Sequence, residues 1–139
     1  MDNNFVIFEG KSEIGSKLIW TGSKKFNIGD VVLKLEGSIT NTPTRTSIQI
    51  GENKHIDSYL GRFVNHSFTP NCKVENQCLI AITEIKENDS ITFDYNKSEY
   101  DLASPFKCAE TGKWVVGKKY QKLENNEHLK GEWYKNQYE

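Results

Sequence analysis

The chain has 139 residues, and its 18 lysines and arginines against 19 aspartates and glutamates leave a net charge of −1. That length makes one domain able to bury about two-thirds of its unfolded surface, so it needs no disulfide framework to fold. The balanced charge excludes a surface basic all over, and with it the usual ground for direct nucleic-acid binding. Without an apolar run of about 18 residues or a basic, apolar leader after Met1, no membrane contact is expected and the protein is predicted to be soluble and intracellular, cytoplasmic or nuclear.

The predicted elements are short strands. Phe5-Val-Ile-Phe8 and Leu18-Ile-Trp20 are brief apolar runs. Gly29-Asp30 marks a turn, after which residues 31–36 alternate so that period two puts Val31, Leu33 and Leu35 on one face. Residues 46–50, 79–83 and 90–95 follow as strands, the last two separated by the polar turn Lys86-Glu-Asn-Asp89. In the last of them Ile91, Phe93 and Tyr95 share a face. Helical periodicity is confined to residues 124–137, where Gly131 weakens it. The expected fold is mainly β, a compact domain of many short strands with a short C-terminal helix. Cys72, Cys78 and Cys108 form no Cys-x-x-Cys pair, so spacing supports neither disulfides nor zinc, and free thiols are expected. Asn-x-Ser sequons at Asn65, Asn88 and Asn96 carry little weight in a chain without a secretory leader.

The densest stretch is Gly61-Arg-Phe-Val-Asn-His-Ser-Phe-Thr-Pro-Asn71, which crowds hydrogen-bonding and turn residues directly after an apolar pair. In isolation it reads as an Asx or Pro turn between strands, with His66 a satisfied side chain. Some twenty residues later comes Ile91-Thr-Phe-Asp-Tyr95-Asn96. Together, and in this order, the two segments resemble the Asn-His-Ser-x-x-Pro-Asn and Thr-Phe-Asp-Tyr signatures of the SET-domain protein-lysine methyltransferases. His55-Ile-Asp57 resembles the family's approach to the first motif, and residues 28–37 its early hairpin. Pro105-Phe-Lys-Cys108 and residues 117–123 resemble the segment after its core. The matches run from Ser12 to about Glu127, with a short middle insert over residues 40–54.

This resemblance implies a single SET-type catalytic domain over residues 1–139, its core at about 5–97 and a post-core segment at about 98–139. It implies small curved sheets around a knot-like core, with S-adenosylmethionine on one face and a lysine channel opening from the other. Tyr95 would be the catalytic tyrosine, and Phe93 with Tyr95 would wall the channel. Asn65 and His66 would hold the cofactor, with weaker parts for Arg62 and Phe63. Gly15 matches the one glycine left of the family's Gly-x-Gly loop, where the missing side chain lets backbone approach a ligand. Trp114 is the candidate aromatic against the adenine. Phe93 at a position where the family has Phe or Tyr leaves room for products beyond monomethyl-lysine. The implied partner is a protein or peptide bearing a lysine, histone or otherwise, and so short an insert leaves room for a homodimer partner to finish the substrate groove.

The chain also departs from the family pattern. Phe68 stands where many members have a zinc-binding cysteine, and Glu110 where another belongs, so too few ligands remain for a structural zinc site and no metal is expected. The tail must then close the channel by packing, for which Trp114, Val115 and Tyr120 are the candidates. Two other readings remain open at this point: a catalytically silent module that binds a peptide by strand addition, and a β-barrel interaction domain whose paired motifs are accidental.

Overall fold

The structure, a computed structural model, describes residues 4–9, 16–103, 105–108 and 111–117. Gly15, Tyr120 and the predicted helix over residues 124–137 lie outside the described residues. The predicted β character holds: small sheets of two or three strands and few helical residues.

Phe5–Phe8 (β1) and Lys17–Trp20 (β2) pair antiparallel, as the two apolar runs suggested. Val31–Lys34 (β3) joins the hairpin Cys72–Glu75 (β8) and Cys78–Ala81 (β9) in the order β3-β9-β8. Gly37–Thr40 (β4), Ile48–Gly51 (β5) and Lys54–Ser58 (β6) form a second sheet, β4-β6-β5. Asn65–His66 (β7) pairs parallel with Thr92–Phe93 (β10), and Phe106–Lys107 (β11) pairs antiparallel with Trp114–Val115 (β12). A 3₁₀ turn spans Gly61–Phe63, and one turn of helix, α1, spans Tyr95–Ser98.

Two expectations need correction. Val31 does not share a buried face with Leu33 and Leu35: it is 55% exposed, while Val32, Leu33 and Leu35 are buried. The cause is a bulge against β9, where the register shifts between Val31 and Leu33 and breaks the alternation. Nor does the strand predicted at residues 90–95 run its length. It stops at Phe93, because the Asp94 carboxylate accepts from the Asn96 N–H and caps α1, so Tyr95 opens a helical turn. Ile91 and Phe93 are nonetheless buried, and the Phe93 and Tyr95 rings meet at 4.7 Å.

The core gathers Leu18, Leu33, Leu35, Ile48, Ile56, Val64, Leu79, Ile85, Ile91 and Phe93 from β2, both three-stranded sheets, the parallel pair and the segments that join them. Cys72, Cys78 and Cys108 are free thiols, and burial pushes the Cys72 thiol up to about 12, leaving it protonated and inert. Among the described residues no helix is long and apolar enough to cross a membrane.

Candidate active site

The two sequence motifs meet through the parallel pair. Asn65 stands opposite Thr92 and His66 opposite Phe93, and the Ser67 N–H donates to the Phe93 carbonyl at 3.1 Å. Asn71 fastens the far end. Its carboxamide donates to the Ser90 carbonyl at 2.8 Å and accepts from the Thr92 N–H at 2.9 Å, while its own N–H donates to Thr92 Oγ1 at 3.2 Å. Side-chain amides serve here as backbone surrogates, which is why asparagine recurs in such loops.

The pairing fixes Tyr95 from both ends. Its N–H donates to His66 Nδ1 at 3.0 Å, and its hydroxyl donates to the Val64 carbonyl at 2.6 Å. A ring nitrogen that accepts carries no proton, so His66 is the neutral tautomer protonated at Nε2. Asp94, 3.7 Å from the same Nδ1, is therefore a neighbour and not an ion-pair partner. The His66 ring lies edge-on to Phe68, Tyr95 and Phe106, with centroids at 4.4, 5.2 and 6.1 Å.

The phenol's pKa lies well above its ordinary value, first because burial disfavours the phenolate and second because the Glu99 carboxylate repels it. Tyr95 is thus a neutral phenol near pH 8. Its proton is committed to Val64, so toward the cavity the oxygen can only accept. It cannot act as a general base.

That cavity is narrow, about 40 Å³, room for about three waters. Phe93, Tyr95, Val64, Gly61, Ile48 and Glu99 line it, with Arg62, Leu102 and residues 43–47 toward the rim. Gly61 matters by its lack of a side chain: a Cβ there would sit 3.0 Å from Ile48, Leu35 and Ser58. A wider cleft of about 710 Å³ is lined by Lys97 and Ser98 of α1 with Gln49, Val74 and Tyr100. Size does not decide between them. The wide cleft's one aromatic, Tyr100, is exposed, whereas the narrow cavity is walled by buried Phe93 and by Tyr95, whose hydroxyl is held by Val64.

The other predicted residues fall as follows. Arg62 lines the narrow cavity and pairs with Asp57 at 2.8 Å. Phe63 packs on the core and meets Tyr59 edge-on at 5.9 Å. The Asn65 side chain is half-buried on β7 and makes no hydrogen bond with another described residue. Trp114 is half-buried on β12, with the Lys107 ammonium 5.9 Å from its ring, and Val115 is fully buried. Among the described residues no three His, Cys, Asp or Glu side chains gather as a metal site.

Sequence reasoning missed two residues. Asn96, 6% exposed, accepts on Oδ1 from the N–H groups of Val116 and Gly117 at 3.0 and 2.9 Å, and its amide donates to the Trp114 carbonyl at 3.4 Å. One side chain thereby sews the post-core segment onto α1. At Gly117, φ is +111°, and a Cβ would lie 2.5 Å from the Tyr100 carbonyl, so only glycine lets that segment dock. Glu99 is a carboxylate only 4% exposed in the cavity wall. Nothing in a local string distinguishes it from a solvated glutamate.

Residues 7–96 match the SET domain family model. Two solved structures are similar in fold. One is Chaetomium thermophilum Polycomb Repressive Complex 2 bound to GSK126, with a TM-score of 0.52 and 14% identity, over 81% of this chain and 20% of that one. The other is a humanized mutant of the Chaetomium thermophilum complex bound to the inhibitor GSK126, with a TM-score of 0.52 and 15% identity, over 81% of this chain and 18% of that one. This chain thus spans about a fifth of the length of those chains, and identity that low speaks to the fold alone. No curated protein matches the chain.

Proposed function

The chain belongs to the SET-domain family, and from that premise we propose that it transfers a methyl group from S-adenosylmethionine to the side-chain amine of a lysine in a protein or peptide. One observation carries the reading: a half-buried phenol, its proton held by the Val64 carbonyl, lines a narrow cavity together with Phe93 and Val64, close to the Asn65-His66 strand.

When bound, S-adenosylmethionine supplies an electrophilic methyl group on a cationic sulfonium. The residues present fit such a ligand. Asn65, half-buried, brings a carboxamide with one acceptor and two donors, and Phe106, exposed on β11, offers an aromatic ring edge-on to His66.

The rest of the work falls to the channel wall. Phe93, Val64 and Ile48 exclude water, which favours the neutral amine over the ammonium, reference pKa about 10.4. The Tyr95 oxygen accepts one N–H of that amine and so aims its lone pair, making placement and dryness the source of the rate. A rate limited by lysine deprotonation rises with pH. Transfer at pH 8.5 should exceed that at 6.5 several-fold, and Tyr95 adds no falling limb because its ionisation lies above that range. A flat profile in single-turnover assays would contradict this.

Phe93, 2% exposed, puts no hydroxyl into the cavity. Products beyond monomethyl-lysine are therefore expected by mass spectrometry, and Phe93→Tyr should stop at one methyl. A wild type that is strictly monomethylating would refute the assignment. The whole reading is tested with methyl-labelled S-adenosylmethionine and a protein extract. Label recovered as methyl-lysine upholds it. Cofactor binding without transfer would leave a silent peptide-binding module, and absence of cofactor binding would overturn the reading outright.

A further inference from the structure

We propose that Lys113 and Phe68 form a cation–π clasp that holds the β11–β12 hairpin on the Asn65–Asn71 segment and, through the His66 ring, keeps Tyr95 in place. Neither residue lines the narrow cavity, so both are positioning residues. Their part in methyl transfer rests on Tyr95 being the phenol that aims the amine.

The hairpin has two faces. Phe106 stands opposite Val115 and Lys107 opposite Trp114, and the Cys108 N–H donates to the Lys113 carbonyl at 2.8 Å, which carries the pairing one step further. Side chains alternate along each strand, so Phe106, Cys108, Val115 and Lys113 share one face while Lys107 and Trp114 share the other. Burial agrees: Val115 and Cys108 are buried. On the outer face the Lys107 ammonium lies over the Trp114 ring. The inner face meets the site. Phe106 lies edge-on to His66 and Tyr95, and Lys113 Nζ stands 5.7 Å from the Phe68 ring centroid, within the range of a cation–π contact.

Phe68 passes that contact on. Its ring meets the His66 imidazole at 4.4 Å and 85°, and His66 Nδ1 accepts the Tyr95 N–H at 3.0 Å. The series therefore runs from Lys113 through Phe68 and His66 to Tyr95, each member touching the next. A ring nitrogen accepts well only when the imidazole is turned toward its donor, and an edge-to-face neighbour resists that ring's rotation. Asn96 fastens the hairpin at residues 114, 116 and 117, on the outgoing strand alone. Lys113 supplies the fastening toward the turn. Among the described residues no carboxylate pairs with Lys113, and the Phe68 face is the partner its charge has there.

The clasp can be read by NMR without cofactor or turnover. In labelled wild type, a scalar coupling should be resolved across the hydrogen bond from the Tyr95 N–H to His66 Nδ1, and the Lys113 ε-methylene protons should lie upfield under the Phe68 ring current. Lys113→Gln and Phe68→Leu should each speed hydrogen exchange of the Cys108 amide by about two- to fivefold, the worth of an exposed cation–π contact. Both changes together should speed it no more than either alone, because the second removes a contact already lost. Lys113→Arg keeps the cation and should leave exchange at the wild-type rate. Phe68→Leu should also weaken the coupling between Tyr95 and His66. The Ile91 amide, bonded to the Leu18 carbonyl in the core, should exchange as in the wild type throughout, which separates local loosening from loss of the fold.

Lys113 protons at random-coil positions in the wild type would overturn the clasp, and that measurement needs no variant to fold. Additive effects in the double variant, or an intact coupling in folded Phe68→Leu, would overturn it as well. A wild type that shows the clasp signals without methyl transfer would uphold the clasp and sink only the proposed reaction. In an active wild type, Phe68→Leu should slow single-turnover transfer at saturating cofactor by about twofold or more, as loss of aim does. An unchanged rate would overturn the positioning role.

Discussion

Tyr95→Phe should lower kcat for methyl transfer by about 100-fold or more, which corresponds to about 2.7 kcal/mol of transition-state stabilisation. The substitution removes one oxygen and nothing else. It takes away the acceptor that aims the amine, and it leaves the Val64 carbonyl without its donor. The ring contacts to Phe93, His66 and Phe106 survive, so the fold should persist with a loss of about 1 kcal/mol, the usual worth of one hydrogen bond. Cofactor affinity should be unchanged, since the phenol works on the amine. Steady-state assays on the labelled substrate, paired with a melting curve, separate loss of chemistry from loss of structure. A folded variant retaining more than a tenth of wild-type kcat would remove Tyr95 from the mechanism.

The second large effect is structural. Asn96→Leu leaves the buried N–H groups of Val116 and Gly117 without an acceptor, at about 1–3 kcal/mol each, so a loss of about 2–6 kcal/mol is expected. For a domain with a total stability of about 5–15 kcal/mol that is a large fraction, and Tm should fall by roughly 10 °C. Activity should fall as well, because residues 114–117 cannot dock on α1 without that side chain. Asn96→Asp keeps the acceptor and should recover most of the stability. A leucine variant melting within 2 °C of the wild type would show that the tail is held by packing alone.

The legible parts of the molecule were those whose chemistry is local. The strands at residues 5–8 and 17–20 were readable from the apolar runs 5–8 and 18–20 bounded by polar residues. The segments around His66 and Tyr95 stood out because loops dense in Asn, Ser, Thr and Pro are uncommon directly after apolar pairs. What failed depended on partners distant in the chain. Val31 breaks its alternation because of how β9 lies against it, and no window around Val31 contains β9. Helix α1 was hidden inside a string of β-favouring residues, and one Asp94 carboxylate was enough to turn the chain. Asn96 and Glu99 carry no local signal of burial, since their partners lie about 20 and 50 positions away. Burial of a polar group is a property of the assembled fold, and periodicity cannot report it.

The parallel pairing of β7 and β10 bears on how the site comes into being. Its strands are only two residues each and come from segments 27 positions apart, Asn65 to Thr92, so neither can form by zipping up from a neighbouring turn. Closing that loop costs entropy before any contact rewards it. A half-folded chain can hold its hairpins and still lack the His66 and Val64 contacts that hold the Tyr95 phenol in place. Catalytic competence would then be recovered last on renaturation, after most of the sheet signal has returned.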